Sequence, residues 1–296
     1  MTGNSRIFAG IQRAVGRCET AAEEIGTHPV SYTHLYVVFV SFSNANEYAA
    51  YTGIVYKPVG FSLAAYKAVF SNKDIYTGYM NTLFYVVVGT ACNVIMTSIG
   101  AYVISRKNFM WRKPITTMIV VTMFFSGGLI PNYLLIKSLG LLNSRMALII
   151  PTVISTYNLM ILKTAFFNLP DSIEEAAKID GANDFVILFQ IIFPLTLPSI
   201  AVITLYYAVG HWNSWFNAMI YLSDRDLYPL QLFLREILIS NSMDNMLMDS
   251  SAAEKEQISQ TIQYATIMVA TVPILLLYPF LQKYFVKGVM IGAVKG

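Results

Sequence analysis

The sequence predicts an all-α integral membrane protein with about six transmembrane helices. Two observations carry this. Hydrophobic residues fill 55% of the 296 positions and charged ones only 12%, too apolar a balance for an ordinary soluble domain of this length. Several stretches then reach the roughly 20 apolar residues that a helix needs to cross a bilayer. They are Asn81 to Ile104, Ile115 to Ile136, Leu148 to Phe167, Ile191 to Val209 and Ala265 to Gln282. These runs are too long for barrel strands and do not alternate strictly, so closed helices must satisfy their backbone polar groups inside lipid.

The first span is the least regular. If the N-terminus is cytoplasmic, one more span is needed before Ser43, yet only Leu35 to Phe42 is apolar there. Arg17, Glu19, Glu23, Glu24, His28 and His34 occupy positions where that span would begin, and each charge at mid-membrane costs roughly 2.5 kcal/mol or more. Three readings stand: a short, partly interfacial helix, a chain with five spans, or a stretch altered from its native reading frame. The preferred one is a helix around Pro29 to Phe42, so residues 1–42 are set apart as an atypical segment with a short or degraded first span. A secretory signal is not expected, because Arg6, Arg13 and Arg17 lead into acidic residues rather than an apolar run.

Orientation follows from lysine and arginine, which favour cytoplasmic loops. The loop Ser105 to Pro114 carries Arg106, Lys107, Arg112 and Lys113 and no acidic residue, so it is placed inside. Alternation then puts Ser43 to Met80 and Gly210 to Gln263 outside. The loop after Phe167 and the tail with Lys283, Lys287 and Lys295 return to the cytoplasm.

Several function classes are disfavoured by what the spans hold. Their one ionisable side chain is Lys163, near a cytoplasmic helix end, where a snorkelling cation is the ordinary explanation. No ion-coupling route is therefore visible. No Gly-x4-Gly-Lys-Ser/Thr loop is present to cradle ATP phosphates, so no cofactor is expected on this chain and energy must come from another polypeptide. Glu174 and Glu175 lie together on a short surface helix, and His28, His34 and His211 have neither a nucleophile partner nor metal-ligand spacing. No catalytic residue, metal site or nucleic-acid-binding stripe is expected. Cys18 and Cys92 sit too differently in the chain to suggest a disulfide.

The most informative segment begins at Leu169-Pro170-Asp171-Ser172. Ser172 with Glu175, or Asp171 with Glu174, forms a capping-box pattern that starts a helix. Ile173, Ala176 and Ala177 would share one face, Gly181 would end the turn in a left-handed conformation, and Phe185, Leu188, Phe189 and Ile192 would form one stripe of a second helix. Taken alone, a Glu-Ala-Ala triplet in an amphipathic loop is common. The spacing Glu175-Ala176-Ala177, Gly181, Ile191, Phe193, Pro194 resembles the cytoplasmic "EAA" loop of binding-protein-dependent ABC importers, with Phe193 standing where the pattern has leucine. Asp180 before Gly181 matches the form common in sugar importers. From Ser43 to Gly296 the chain resembles a permease subunit of the maltose-transporter type, in the branch that handles oligosaccharides and polysaccharide fragments. Asn81-Thr82, Phe125 to Pro131, His211-Trp212-Asn213 and Gly288 to Gly296 also carry the likeness.

The resemblance implies a permease in the bacterial inner membrane, forming part of the path of an oligosaccharide. It implies a second homologous permease, two subunits that bind ATP, and an extracytoplasmic solute-binding protein as partners. Glu174, Glu175, Ala176, Ala177, Asp180 and Gly181 would couple to an ATPase, and Gly292, Lys295 and Gly296 in the tail would reach between the ATPases. For the pathway itself, Gly127 and Gly128 interrupt a span, while Tyr206, Tyr207, His211, Trp212 and Asn213 offer aromatic faces and polar groups suited to sugar. Kinking of a helix and interfacial anchoring by aromatics are the competing explanations. A non-sugar solute in the same machine and an ATP-independent facilitator are the alternatives.

Overall fold

The computed structural model describes residues 29–247 and 260–276. Its regular structure there is helical, apart from an isolated bridge between Ser43 and Phe61. Within the described residues two compact units are present: one takes those up to Ser71 together with those of Ile237–Thr271, the other Asn72–Glu236 and 272–276.

In the first unit, helix α1 (Pro29–Ser41) forms where the Pro29 to Phe42 helix is expected. Its 13 residues extend about 20 Å at 1.5 Å per residue, less than the ~30 Å hydrocarbon core. Ser41 ends it by donating to Val38 O at 2.7 Å and meeting the Tyr66 hydroxyl at 2.8 Å. Short helices α2 (Ala45–Ala50) and α3 (Ala64–Ser71) follow, the former capped by Asn44, whose side chain accepts from the Asn46 amide. The Tyr36 ring of α1 meets the Tyr264 ring edge-on at 5.7 Å.

The second unit holds the long helices. α4 (Lys73–Ser105) is continuous over 33 residues, and it starts well before the expected Asn81 because Asn72 accepts from the Asp74 amide and caps it there. The other expected spans in this unit are broken. α5 (Arg112–Phe124) and α6 (Leu129–Ser138) meet at 116°, α7 (Met146–Thr152) and α8 (Thr156–Phe167) at 49°, and α10 (Asp184–Leu195) and α11 (Leu197–Trp212) at 90°. Helix α9 (Asp171–Ile179) lies between α8 and α10. α12 (Phe216–Tyr221) and α13 (Leu230–Leu247) follow α11, α13 passing into the first unit at Ile237, and α14 (Gln260–Leu276), mostly of the first unit, overlaps the last expected apolar run.

Each break has a local cause. Phe125 is extended and Gly128 takes φ +85°, a conformation that only glycine adopts easily. Ser155 is extended after the Pro151 turn, and Pro198 removes an amide donor at the start of α11. The interruption expected at Gly127–Gly128 is therefore present, whereas the one before Thr156 was not anticipated. The fifth expected run, Ala265 to Gln282, lies partly outside the described residues. Among the described residues, one helix is long and apolar enough to cross a membrane unaided, and up to four spans result when each bent pair is taken as one.

The core of the second unit forms where α8 packs on α4. Leu159, Leu162 and Phe166 meet Val94, Ala101 and Tyr102, and the cluster extends to Ile187, Leu188, Ile192, Ile200 and Ile203. Two π-helical turns, Tyr85–Gly89 in α4 and Ile187–Ile192 in α10, shift the register of the buried face. As a result the buried set in α10 is Ile187, Leu188 and Ile192, while Phe185 and Phe189 are exposed. The single stripe of Phe185, Leu188, Phe189 and Ile192 expected from a 3.6-residue period does not form.

Candidate functional site: a docked surface helix and a polar cavity

Helix α9 starts at Asp171 with Pro170 as its cap residue and no side-chain capping bond. Neither expected capping box forms. Asp171 instead accepts from Lys107 Nζ at 2.5 Å, and Glu174 is engaged by the Arg106 guanidinium and by Lys178 Nζ at 2.8 Å. The acidic first turn is thus held by the basic loop that follows α4. Arg106 also lies over the Tyr102 ring, 4.5 Å from its centroid. Burial lowers the Arg106 pKa, and Tyr102, Asp171 and Asp184 draw it back up.

The faces of α9 differ from the expected ones. Ala177 is buried in the core cluster and Ile173 is half-buried, but Ala176 and Glu175 are exposed. Ala176 and Ala177 therefore lie on different sides of the helix. The free side presents Ser172, Glu175, Ala176 and Ile179, the last 86% exposed. Gly181 has φ +81°, as expected. Its amide bonds Lys178 O at 3.1 Å while the Ala182 amide bonds Ala177 O at 3.0 Å, the paired bonds of a Schellman stop with Asp180 at the cap.

The second site is a cavity of about 600 Å³ lined by α7, α8, α11 and the turn into α12. Tyr206, Tyr207, His211 and Asn213 line it, together with Trp215 and Asn217. Trp212 does not: it is buried, with its ring 6.4 Å from that of Tyr79. Gly127 and Gly128 do not line it either and belong to the α5–α6 break. The tail residues Gly292, Lys295 and Gly296 lie outside the described residues.

Buried polar groups hold the cavity wall. Asn93 Nδ2 donates to Thr152 O at 2.6 Å, which directs Asn93 Oδ1 to accept from His211 Nε2 at 2.7 Å. In a neutral ring that bond fixes the Nε2–H tautomer and leaves Nδ1 as an acceptor. The Tyr207 hydroxyl meets Thr97 Oγ1 at 2.7 Å and accepts from the Ser155 amide at 2.9 Å. Asn93, Thr97, Ser155, Tyr157 and Asn158 went unremarked in the sequence. Asn93 and Thr97, one helical turn apart in an apolar run, are the signal that could have found them.

Residues 58–291 match the family model described as binding-protein-dependent transport system inner membrane component. Among curated proteins, the chain is 45% identical over 262 residues, 88% of this chain and 91% of the other, to the polygalacturonan/rhamnogalacturonan transport system permease protein YtcP of Bacillus subtilis (strain 168). It is 41% identical to protein LplC of the same organism, over 88% of each chain. Among solved structures, a bacterial ABC transporter involved in the import of the acidic polysaccharide alginate matches with a TM-score of 0.78 and 31% identity, covering 96% of this chain and 99% of that one. The chain therefore belongs to the inner-membrane permeases of binding-protein-dependent ABC importers, as a transport component and not an enzyme.

Proposed function

We propose that this permease carries an oligosaccharide derived from a plant or microbial polysaccharide, with α9 as the helix through which an ATP-hydrolysing subunit drives it. The family implies an ATPase and a solute-binding protein as partners, and two of the three similar proteins named above are described with polysaccharide cargo. One observation carries the coupling role: α9 is fastened on one side and free on the other. Arg106 and Lys107 grip its first turn and Ala177 is packed in the core, while Glu175, Ala176 and Ile179 face away.

A helix held in this way transmits displacement rather than absorbing it. A push on the free face reaches the end of α4 through Arg106 and reaches α8 and α10 through the core around Ala177. The same half of α4 carries Asn93 and Thr97, roughly two to four turns before Arg106, and they brace the cavity wall. Closure of two ATPases would then reorient the cavity by rigid-body motion. A second homologous permease completes the path. The cavity suits a sugar, with tyrosine and tryptophan faces for the ring and Asn158, His211, Asn213 and Asn217 for its hydroxyls.

The test uses the assembled complex in liposomes with a binding protein loaded with oligogalacturonide. Glu175→Lys and Ile179→Asp should each abolish cargo-stimulated ATP turnover while the permease still inserts and stays folded. Full stimulation in both variants would remove the coupling role. Uptake that persists without any ATPase subunit would instead make the chain a facilitator.

A further inference from the structure

A second cavity, of about 380 Å³, opens between α5 and α8 and is lined by Arg112, Lys113, Thr116, Thr117, Lys163, Thr164 and Phe167. The basic loop after α4 divides here. Arg106 and Lys107 are spent on Glu174 and Asp171, whereas among the described residues no carboxylate pairs with Arg112, Lys113 or Lys163. Phe167 contributes only a ring face, 5.2 Å from Arg112 Cζ. Arg112 Nη1 and Thr116 Oγ1 are shut off from solvent and have no hydrogen-bond partner. Three cations around one cavity repel one another. That penalty is relieved when an anion enters.

The position of this cavity suggests which anion. Tyr157 of the first cavity and Thr164 of the second both line their cavities from α8, seven residues apart and hence on one face, about 10 Å along the axis at 1.5 Å per residue. Both residues are exposed, with half-buried Met160 between them. One open face of α8 thus runs from an aromatic cavity to a cationic one. We infer that the second cavity is an acid-binding station on the cargo path, in which Arg112, Lys113 and Lys163 receive a uronate carboxylate and Thr116, Thr117 and Thr164 bind the neighbouring sugar hydroxyls. Arginine can take a carboxylate by two parallel bonds, which a neutral sugar cannot match. This rests on the oligosaccharide reading and narrows it to acidic oligosaccharides. A lipid phosphate would use the same cations, so lipid composition is one arm of the test.

The complex is reconstituted in pure phosphatidylcholine, and separately with phosphatidylglycerol added, and uptake of trigalacturonate and of its neutral methyl ester is measured. In phosphatidylcholine, Arg112→Gln and Lys163→Gln should each lower the ratio of acid to ester uptake about tenfold, the equivalent of one lost charge-assisted bond. Arg112→Lys and Lys163→Arg should keep most of it. If wild type carries the acid alone, acid uptake is the readout, with the same order among the variants. Equal loss for acid and ester, or an effect seen only with phosphatidylglycerol, overturns the acid station and leaves the oligosaccharide reading standing. Wild type carrying only the ester also overturns it. Wild type carrying neither defeats both readings.

Discussion

Arg106 donates to Glu174 across 68 positions of sequence, joining the C-terminal end of α4 to the first turn of α9. Both side chains are largely shielded, at 21% and 17% exposure, so this pair is more than a surface ion pair. Glu174→Ala leaves a half-buried guanidinium without its carboxylate, at a cost of about 1–3 kcal/mol. The expected result is partial uncoupling: ATP turnover continues while transport per ATP falls several-fold. Glu174→Gln, which keeps an acceptor, should fall between. Measuring uptake and phosphate release in the same vesicles gives the ratio directly. Glu175, exposed on the free face, should behave differently, with Glu175→Ala leaving thermal stability within about 0.5 kcal/mol and acting only when the ATPase is present.

Gly181 provides a conformational test. Its φ is +81° and no atom lies within 4 Å of the place a Cβ would occupy, so any penalty is one of backbone and not of crowding. Gly181→Ala should destabilise the α9 terminus by about 1–2 kcal/mol, and Gly181→Asn by less, since asparagine visits this region more readily. Protease sensitivity between α9 and α10 in detergent should rank alanine above asparagine above wild type. Equal sensitivity of the two variants would point to a contact role for the glycine.

In the cavity wall, Tyr207→Phe removes the hydroxyl shared by Thr97 and the Ser155 amide. Polar bonds between membrane helices are worth about 0.6 kcal/mol on average and at most about 1.7, so the melting temperature should fall only slightly. Uptake should fall further, because that hydroxyl holds the break between α7 and α8 where the cavity opens. A kinetic comparison decides it: KM rising more than kcat falls would mark a wall that positions cargo.

Why some of this was legible in sequence and some was not follows from range. The α9 stop at Gly181 was visible because a left-handed glycine after a helix is a local event. The break at Gly128 was visible because paired glycines interrupt an apolar run locally. The capping box was misread because its acidic residues had stronger partners 64 and 68 positions away, in Lys107 and Arg106. Such long-range competition leaves no local trace. The separation of Ala176 from Ala177 depends on which side of α9 meets the core, and the displaced stripe in α10 depends on a π-helical turn, which a 3.6-residue period cannot foresee. The aromatic cavity residues were found by type, because tyrosine, histidine and asparagine cluster near one helix end. Their partners Asn93 and Thr97 were missed within a span read only for length and apolarity.

Gly89 and His211 give the sharpest test of the cavity. Gly89 ends a π-helical turn of α4, and a Cβ added there would lie 2.5 Å from His211 Nε2 and 2.7 Å from Cε1. The imidazole is buried and already committed to Asn93, so it cannot move aside without losing that bond. Gly89→Ala should therefore cost roughly 1–3 kcal/mol, the usual range for an overpacked core, and should depress uptake by displacing α11. His211→Ala removes the obstruction along with the bond, so the double variant should be clearly more stable than the sum of the two single losses predicts. Melting temperatures of the four proteins in one detergent complete the cycle. Strict additivity would mean that the close approach of the two helices is not what requires glycine at this position.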